Sequence, residues 1–233
     1  MASALAADSA RPLLTFYDDA SGERTELSAT TLDNWVAKTA NLLMDGHGLG
    51  SGDTASVALP PHWQTAAVML GCWRAGLAIS HSTQEFTDVA FSALERIEEQ
   101  KSSEVYGLSL APMAMPLRNP PPGVTDFVLE VRTFGDVYGG PPADPEAAAL
   151  VHLPGGGGVM SHATLTERAY ARAEELGLTE DDRVLVMEPR RPLDWLLAPL
   201  AAGASLVLCW NADHGKRDSR VTSEQVTRVL DIS

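Results

Sequence analysis

Hydrophobic positions along this chain switch repeatedly between the period of a strand and that of a helix. Leu13–Tyr17 is a short apolar run that predicts a strand, Asp18–Gly22 a turn, and Thr25-Glu26-Leu27 the returning arm of a hairpin. Ser28 stands where a helix N-cap belongs, ahead of Leu32, Trp35, Val36, Thr39, Ala40 and Leu43 at helical spacing. Glycines between Gly46 and Gly52 stop that helix. Thr54–Leu59 predicts a strand, and Pro60-Pro61 opens a helix running to about Ala75, since a first helical turn has no backbone N–H partner to lose. Leu77–Ser80 predicts another strand. From Thr87 to Lys101, the positions Val89, Ala90, Ala93, Leu94 and Ile97 predict an amphipathic helix with a Glu-rich solvent face.

Val105–Leu110 predicts a strand, and Pro112–Gly123, with five prolines, a loop. Thr125–Phe134 fits helix or strand. Gly139–Pro145 is a second Pro/Gly loop and the best internal boundary. Beyond it the pattern predicts a strand (Ala148–Leu153), a run of four glycines, a helix (Ala163–Leu176), a strand (Arg183–Met187), a helix (Asp194–Ala202) and a strand (Ser205–Cys209). Asn211–Arg220 is polar, and Ser223–Leu230 predicts a last short helix. Strands alternating with helices at this spacing imply an α/β fold, a mostly parallel sheet flanked by helices. The domain reading is one α/β domain over 1–233, or two lobes divided near 139–146.

Composition narrows the function classes. An apolar fraction of 45% and a charged fraction of 21% suit a folded globular chain. A formal charge of −14 opposes a phosphate-tracking nucleic-acid surface. Cys72 and Cys209 sit inside apolar runs and read as buried free thiols of a reducing compartment. The six histidines are scattered, and no Cys/His cluster has metal-ligand spacing. Met1–Ala10 lacks a basic start and an apolar stretch, and no apolar run approaches the roughly 20 residues that span a bilayer, so the expectation is a cytoplasmic chain without a membrane role.

Three segments, in order, resemble the adenylate-forming (AMP-binding, acyl-CoA-synthetase-like) superfamily. The first runs from Asp18 to Leu32, through Gly48-Leu49-Gly50-Ser51-Gly52-Asp53-Thr54-Ala55-Ser56-Val57, to Pro60 and Trp73-Arg74-Ala75-Gly76. Within it, Gly52 permits a turn and Asp53 can accept from the backbone leading into the strand. The second is Ala149-Leu150-Val151-His152-Leu153-Pro154, then Gly155, Gly156, Gly157 and Gly158, then Val159-Met160-Ser161-His162. In that family this is the phosphate loop, roughly T-S-G-T-T-G-x-P-K-G-V-x-x-S-H. The flanks match, but here no Ser or Thr hydroxyl and no Lys lies between Leu153 and Val159. The four glycines are the candidate cofactor-binding residues, a vestigial loop that can still bend into an anion nest but brings no side-chain donor or charge. The third runs from Gly177-Leu178-Thr179-Glu180-Asp181-Asp182-Arg183 through Leu196–Leu208, with Pro189-Arg190-Arg191-Pro192-Leu193-Asp194-Trp195 where the family often has an aromatic/His pocket sequence.

The resemblance implies a parallel α/β front portion, and the later family motifs for AMP, metal and ribose do not follow Cys209. The expected function is therefore a noncatalytic or catalytically reduced relative with a binding or partner role, with no catalytic residue, metal or cofactor assigned. A split or minimal ligase binding ATP, AMP or an acyl adenylate, completed in trans, is the alternative, and a structural dimer-forming protein a third.

Individual residues add little chemistry. His162 could orient a substrate group or cap a helix, and Arg190-Arg191 could bind an anion bidentately or lie solvated. Trp63, Trp73 and Trp195 read as core or interface. Asp18-Asp19 and Asp181-Asp182 are adjacent turn residues that point apart, so neither pair is a general acid/base couple. No G-x-S-x-G and no G-x-x-x-x-G-K-[ST] is present. Trp195, Leu196, Leu197 and Trp210 stay apolar near the end of the chain and suggest a homodimer.

Overall fold

A computed structural model describes residues 11–80, 82, 85–152 and 158–231. The chain divides into two compact units, one made of Met1–Asp33, Pro61–Trp63 and Thr166–Ser233, the other of Asn34–Pro60 and Gln64–Leu165. The Pro/Gly stretch 139–146 lies inside the second.

The first unit carries a five-stranded sheet. Its strands are β1 (Pro12–Asp18), β2 (Glu23–Ser28), β10 (Arg183–Val186), β11 (Ser205–Trp210) and β12 (Arg228–Leu230), in the order β12-β10-β11-β1-β2. All pairings are parallel except the β1–β2 hairpin. Leu185, Met187, Val207 and Cys209 form a buried cluster with Tyr17, Val221, Val226 and Val229 packed against it. The C-terminal expectation is corrected here. The helix is Arg217–Ser223, and residues 228–230 form a strand on β10 rather than the end of a helix over 223–230. Val226 and Val229 have a core to cover, and the Thr227 hydroxyl donates to Asp182 Oδ1 at 2.7 Å, which ties the segment to the strand edge.

The second unit carries a seven-stranded sheet built from β3 (Thr54–Ala58), β4 (Ala78–Ser80), β5 (Thr87–Ala93), β6 (Ser102–Leu108), β7 (Thr125–Asp126), β8 (Ala148–Val151) and β9 (Met160–Ser161). The order is β7-β6-β5-β3-β4-β8-β9, parallel but for β8–β9. The helix expected over 87–101 is instead a strand, β5, followed by a 3-10 turn at Leu94–Glu99. β5 lies between β3 and β6, and all its residues except Asp88 are buried, so both faces are covered. A strand buried on two faces loses the alternation that marks a half-exposed one, and its apolar positions then mimic helical spacing. Thr87 and Ser92 are equally enclosed, and their hydroxyls donate to the carbonyls of Val89 and Ala93.

Helix α1 (Ala29–Asn41) starts where Ser28 Oγ accepts from the Thr31 N–H at 3.1 Å, the expected cap, worth about 1 kcal/mol. Helix α2 (Trp63–Arg74) begins three residues after Pro60, whose carbonyl accepts from the Thr65 hydroxyl. Where α1 and α2 touch, Gly71 is required, because a Cβ there would stand 2.5 Å from Thr39 Cβ. At the turn before β3, Gly52 has φ +101° and Asp53 Oδ2 accepts from the Gly50 N–H at 2.8 Å, the roles read from sequence.

Candidate functional site

Strands β4 and β8 are parallel neighbours, with Ser80 paired to Val151, so both end at the same edge of the second unit's sheet. Carboxyl ends of parallel strands are where open α/β sheets place ligands, because the loops leaving them can splay apart. Gly155, Gly156 and Gly157 lie outside the described residues. Gly158 is exposed, and a Cβ added there would meet nothing within 4 Å.

Among the described residues, Ser80 and His152 are polar side chains that meet at this edge. Ser80 Oγ donates to the Ser82 carbonyl at 3.0 Å and accepts from the Ser82 N–H at 3.1 Å, a local turn that fixes the hydroxyl. His152 Nδ1 lies 3.0 Å from the same oxygen. The imidazole tautomer sets which of the two atoms donates in that contact. The His152 ring is exposed. His152 also has φ +51°, a left-handed conformation uncommon for a residue with a side chain. Such strain persists only where surroundings over-determine it, here by β8 on one side and the Ser80 hydrogen bond on the other.

β8 itself is pinned from below by Trp73, whose buried indole N–H donates to the Ala149 carbonyl at 3.0 Å. Beyond the glycine run, helix α3 (His162–Glu175) is capped by Ser161, whose Oγ accepts from the Thr164 N–H at 3.2 Å. The His162 and Ala163 N–H groups donate to the carbonyls of Ala147 and Pro145. With 162, 163 and 164 all committed, the first amides of α3 do not present themselves to an anion. His162 is half-buried, and burial holds its imidazole below the ordinary value against an opposing hydrogen bond with the Gly76 backbone. The cap is Ser161 and not His162.

The remaining candidates resolve into structural pairs of the first unit. Arg191 Nε donates to Asp194 Oδ2 and Arg172 Nε to Asp194 Oδ1, each at 2.7 Å, on a carboxylate with no exposure. Arg190 faces Glu188 at 3.7 Å, so the Arg190-Arg191 pair is neutralised and makes no anion clamp. Asp182 accepts from Thr179 and Thr227. Asp18 accepts from Ala20 and Asn211, whereas Asp19 pairs with Lys216 and Arg220. Burial pushes the Cys72 thiol up, and likewise Cys209, to about 11 despite its contact with Arg220. Neither is a nucleophile near neutrality. Among the described residues no group of three His, Cys, Asp or Glu is arranged to hold a metal, and no helix is long and apolar enough to cross a membrane. Sequence reasoning missed Ser80 and His152. Both stood at predicted strand ends, but their adjacency comes from the β4–β8 pairing, which no local pattern shows.

Two mostly parallel sheets flanked by helices, with a glycine run in the sequence between a strand and a Ser-capped helix, define a protein built on the fold of the adenylate-forming enzymes. A family model of AMP-binding enzymes matches residues 4–95. The acyl-CoA synthetase of Brucella canis superposes with a TM-score of 0.76 at 18% identity, over 96% of this chain and 45% of that one. The anthranilate CoA ligase AuaEII, solved with anthranoyl-AMP, superposes with a TM-score of 0.72 at 14% identity, over 95% and 46%. At such identities the likeness shows the fold, and the chain spans less than half the length of either enzyme. A protein of Mycobacterium tuberculosis described as a TIGR03089 family protein is 42% identical over 238 residues, 97% of this chain and 94% of its own length. This chain belongs to that family.

Proposed function

We propose that this chain keeps the scaffold of an AMP-binding enzyme without adenylating a carboxylate, and acts as a binding protein. One observation carries the reading: between Leu153 and Val159 the loop contains only Pro154 and four glycines, Gly155 to Gly158. Phosphoryl transfer is catalysed almost entirely by positioned charge and hydrogen-bond donors on the transferring group. A loop of this composition offers backbone amides alone, with no hydroxyl and no charged side chain.

The reading is tested by calorimetric titration of the full chain with AMP and with ATP–Mg²⁺. The β- and γ-phosphates find no side-chain donor, so ATP binds no tighter than AMP. ATP affinity tenfold or more above that of AMP, about 1.4 kcal/mol, overturns it. A split ligase, completed by another polypeptide, is the second reading, favoured by the fold match to enzymes more than twice as long. Carboxylate activation that emerges only when an affinity-captured partner is added distinguishes it.

A homodimer is a further proposal: of the four residues that suggested it, Trp195 and Leu196 are buried, 1% and 0% exposed, while Leu197 and Trp210 are partly exposed and carry what support is left. Light scattering at about 50 μM, above a micromolar dissociation constant, reads the state directly.

A further inference from the structure

A second ligand-sized feature stands on the second unit, at the carboxyl ends of the neighbouring parallel strands β5 and β6. Leu94 follows the last residue of β5, and Ser109 follows the last residue of β6. Between them and the loop beyond lies a half-open groove of about 610 Å³, lined by Leu94, Ala111, Met115, Pro116, Leu117 and Arg118. That volume lies within the roughly 300–1,000 Å³ of small-molecule sites, and the apolar lining with a few polar groups fits the same class.

The loop has a built shape. Leu110, Met113 and Ala114 have φ of +52°, +60° and +49°, three left-handed residues with side chains within five positions. Hydrogen bonds hold them there. Ser109 Oγ donates to the Met115 carbonyl and accepts from the Ala111 N–H, Ala111 bridges Met115, Arg132 donates to the Ala114 carbonyl, and the Leu117 N–H donates to Asp126. This fixed backbone leaves Met115 56% and Leu94 46% exposed, although neither gains by facing water. Strain held in place by its surroundings marks functional segments more often than passive connections.

Arg118 supplies the polarity. Carboxylates outnumber Lys and Arg by 31 to 17 in this chain, yet no ion pair or hydrogen bond of the described residues involves Arg118, which is exposed beside the apolar lining. One uncommitted guanidinium at the edge of an apolar groove is complementary to one anionic head on an apolar tail. We propose that this groove binds an amphipathic anion, its tail against Leu94, Met115 and Leu117 and its head, carboxylate or phosphate, on Arg118. The site is independent of the loop after β8 and of the function proposed for it.

The full chain, carrying ¹³C-methyl methionine, is titrated with decanoate, decyl phosphate and decanol, each kept below micelle formation as checked by light scattering. Decanoate or decyl phosphate is expected to shift the Met115 methyl resonance with a dissociation constant below about 1 mM, and the tighter of the two names the head. Arg118→Gln weakens that binding at least tenfold, Leu94→Glu abolishes it, and both variants keep the wild-type circular dichroism because both positions are exposed. Decanol binds at least tenfold more weakly and is indifferent to Arg118→Gln. Equal affinity for decanol, insensitivity to Arg118→Gln, shifts confined to buried methionines, or no binding up to about 1 mM each overturn the proposal.

Discussion

Asp194 shows how a residue that looks like site chemistry is used as structure. It is fully enclosed and shared by Arg172 and Arg191, but Arg191 is 66% exposed whereas Arg172 is 25% exposed. Removing the carboxylate strands a partly buried guanidinium, so Asp194→Ala is expected to cost about 2–3 kcal/mol. Arg191→Gln should cost less than about 1 kcal/mol, because its charge returns to water. Urea denaturation of both variants checks the ordering, and equal losses would contradict it. Acid sensitivity has a similar origin. Hydrogen bonding from Arg220 holds Asp19 well below the ordinary carboxylate range, and burial of Glu224 is outweighed by bonds from Tyr17, Arg183 and Arg24. Depressed folded-state values stabilise the fold above the unfolded value near 4, and that stability is lost as pH falls through the folded values. Melting temperature should therefore decline below about pH 5, and Asp19→Asn should lower it at pH 7 while flattening the acid limb. Neither Cys72 nor Cys209 should react with iodoacetamide at pH 8 until the chain unfolds. Stoichiometric labelling of the native protein would disprove their enclosure.

At the scale of elements, the contact of α1 with α2 inverts an ordinary expectation. Alanine is a better helix former than glycine, yet Gly71→Ala would drive a methyl group to 2.5 Å from Thr39 Cβ and 3.2 Å from the Val36 carbonyl. We expect a loss of about 1–3 kcal/mol, where propensity alone predicts a gain. Thermal unfolding gives the sign. Phe91→Ala in β5 should cost about 3–5 kcal/mol, since Phe91 is fully buried against Tyr106 and Phe127. If Thr87–Ala93 were the amphipathic helix its spacing first suggests, a solvent-side position such as Ser92 would accept Lys freely. In the strand it should not. These cases show what the sequence made legible. The hairpin, the Ser28 cap and the Gly52-Asp53 turn rest on interactions within a few residues. β5 and β12 owe their form to neighbours far away in sequence, and the Ser80–His152 contact spans 72 positions. Local pattern carries no trace of such pairings. The resemblance of the phosphate-loop flanks drew attention to the end of β8, while the neighbouring Ser80 and His152 side chains came together only with the sheet order.

The whole molecule has the fold of the acyl-CoA synthetases, and between Leu153 and Val159 its sequence holds only Pro154 and four glycines. If binding has replaced adenylation, the fold should persist while the reaction does not. Carboxylate-dependent exchange of pyrophosphate into ATP, run on the full chain over a broad panel of acids beside a Gly156→Asp control, addresses this most directly. The account predicts exchange no greater than the control for every acid. Exchange above the control with any one acid would contradict it.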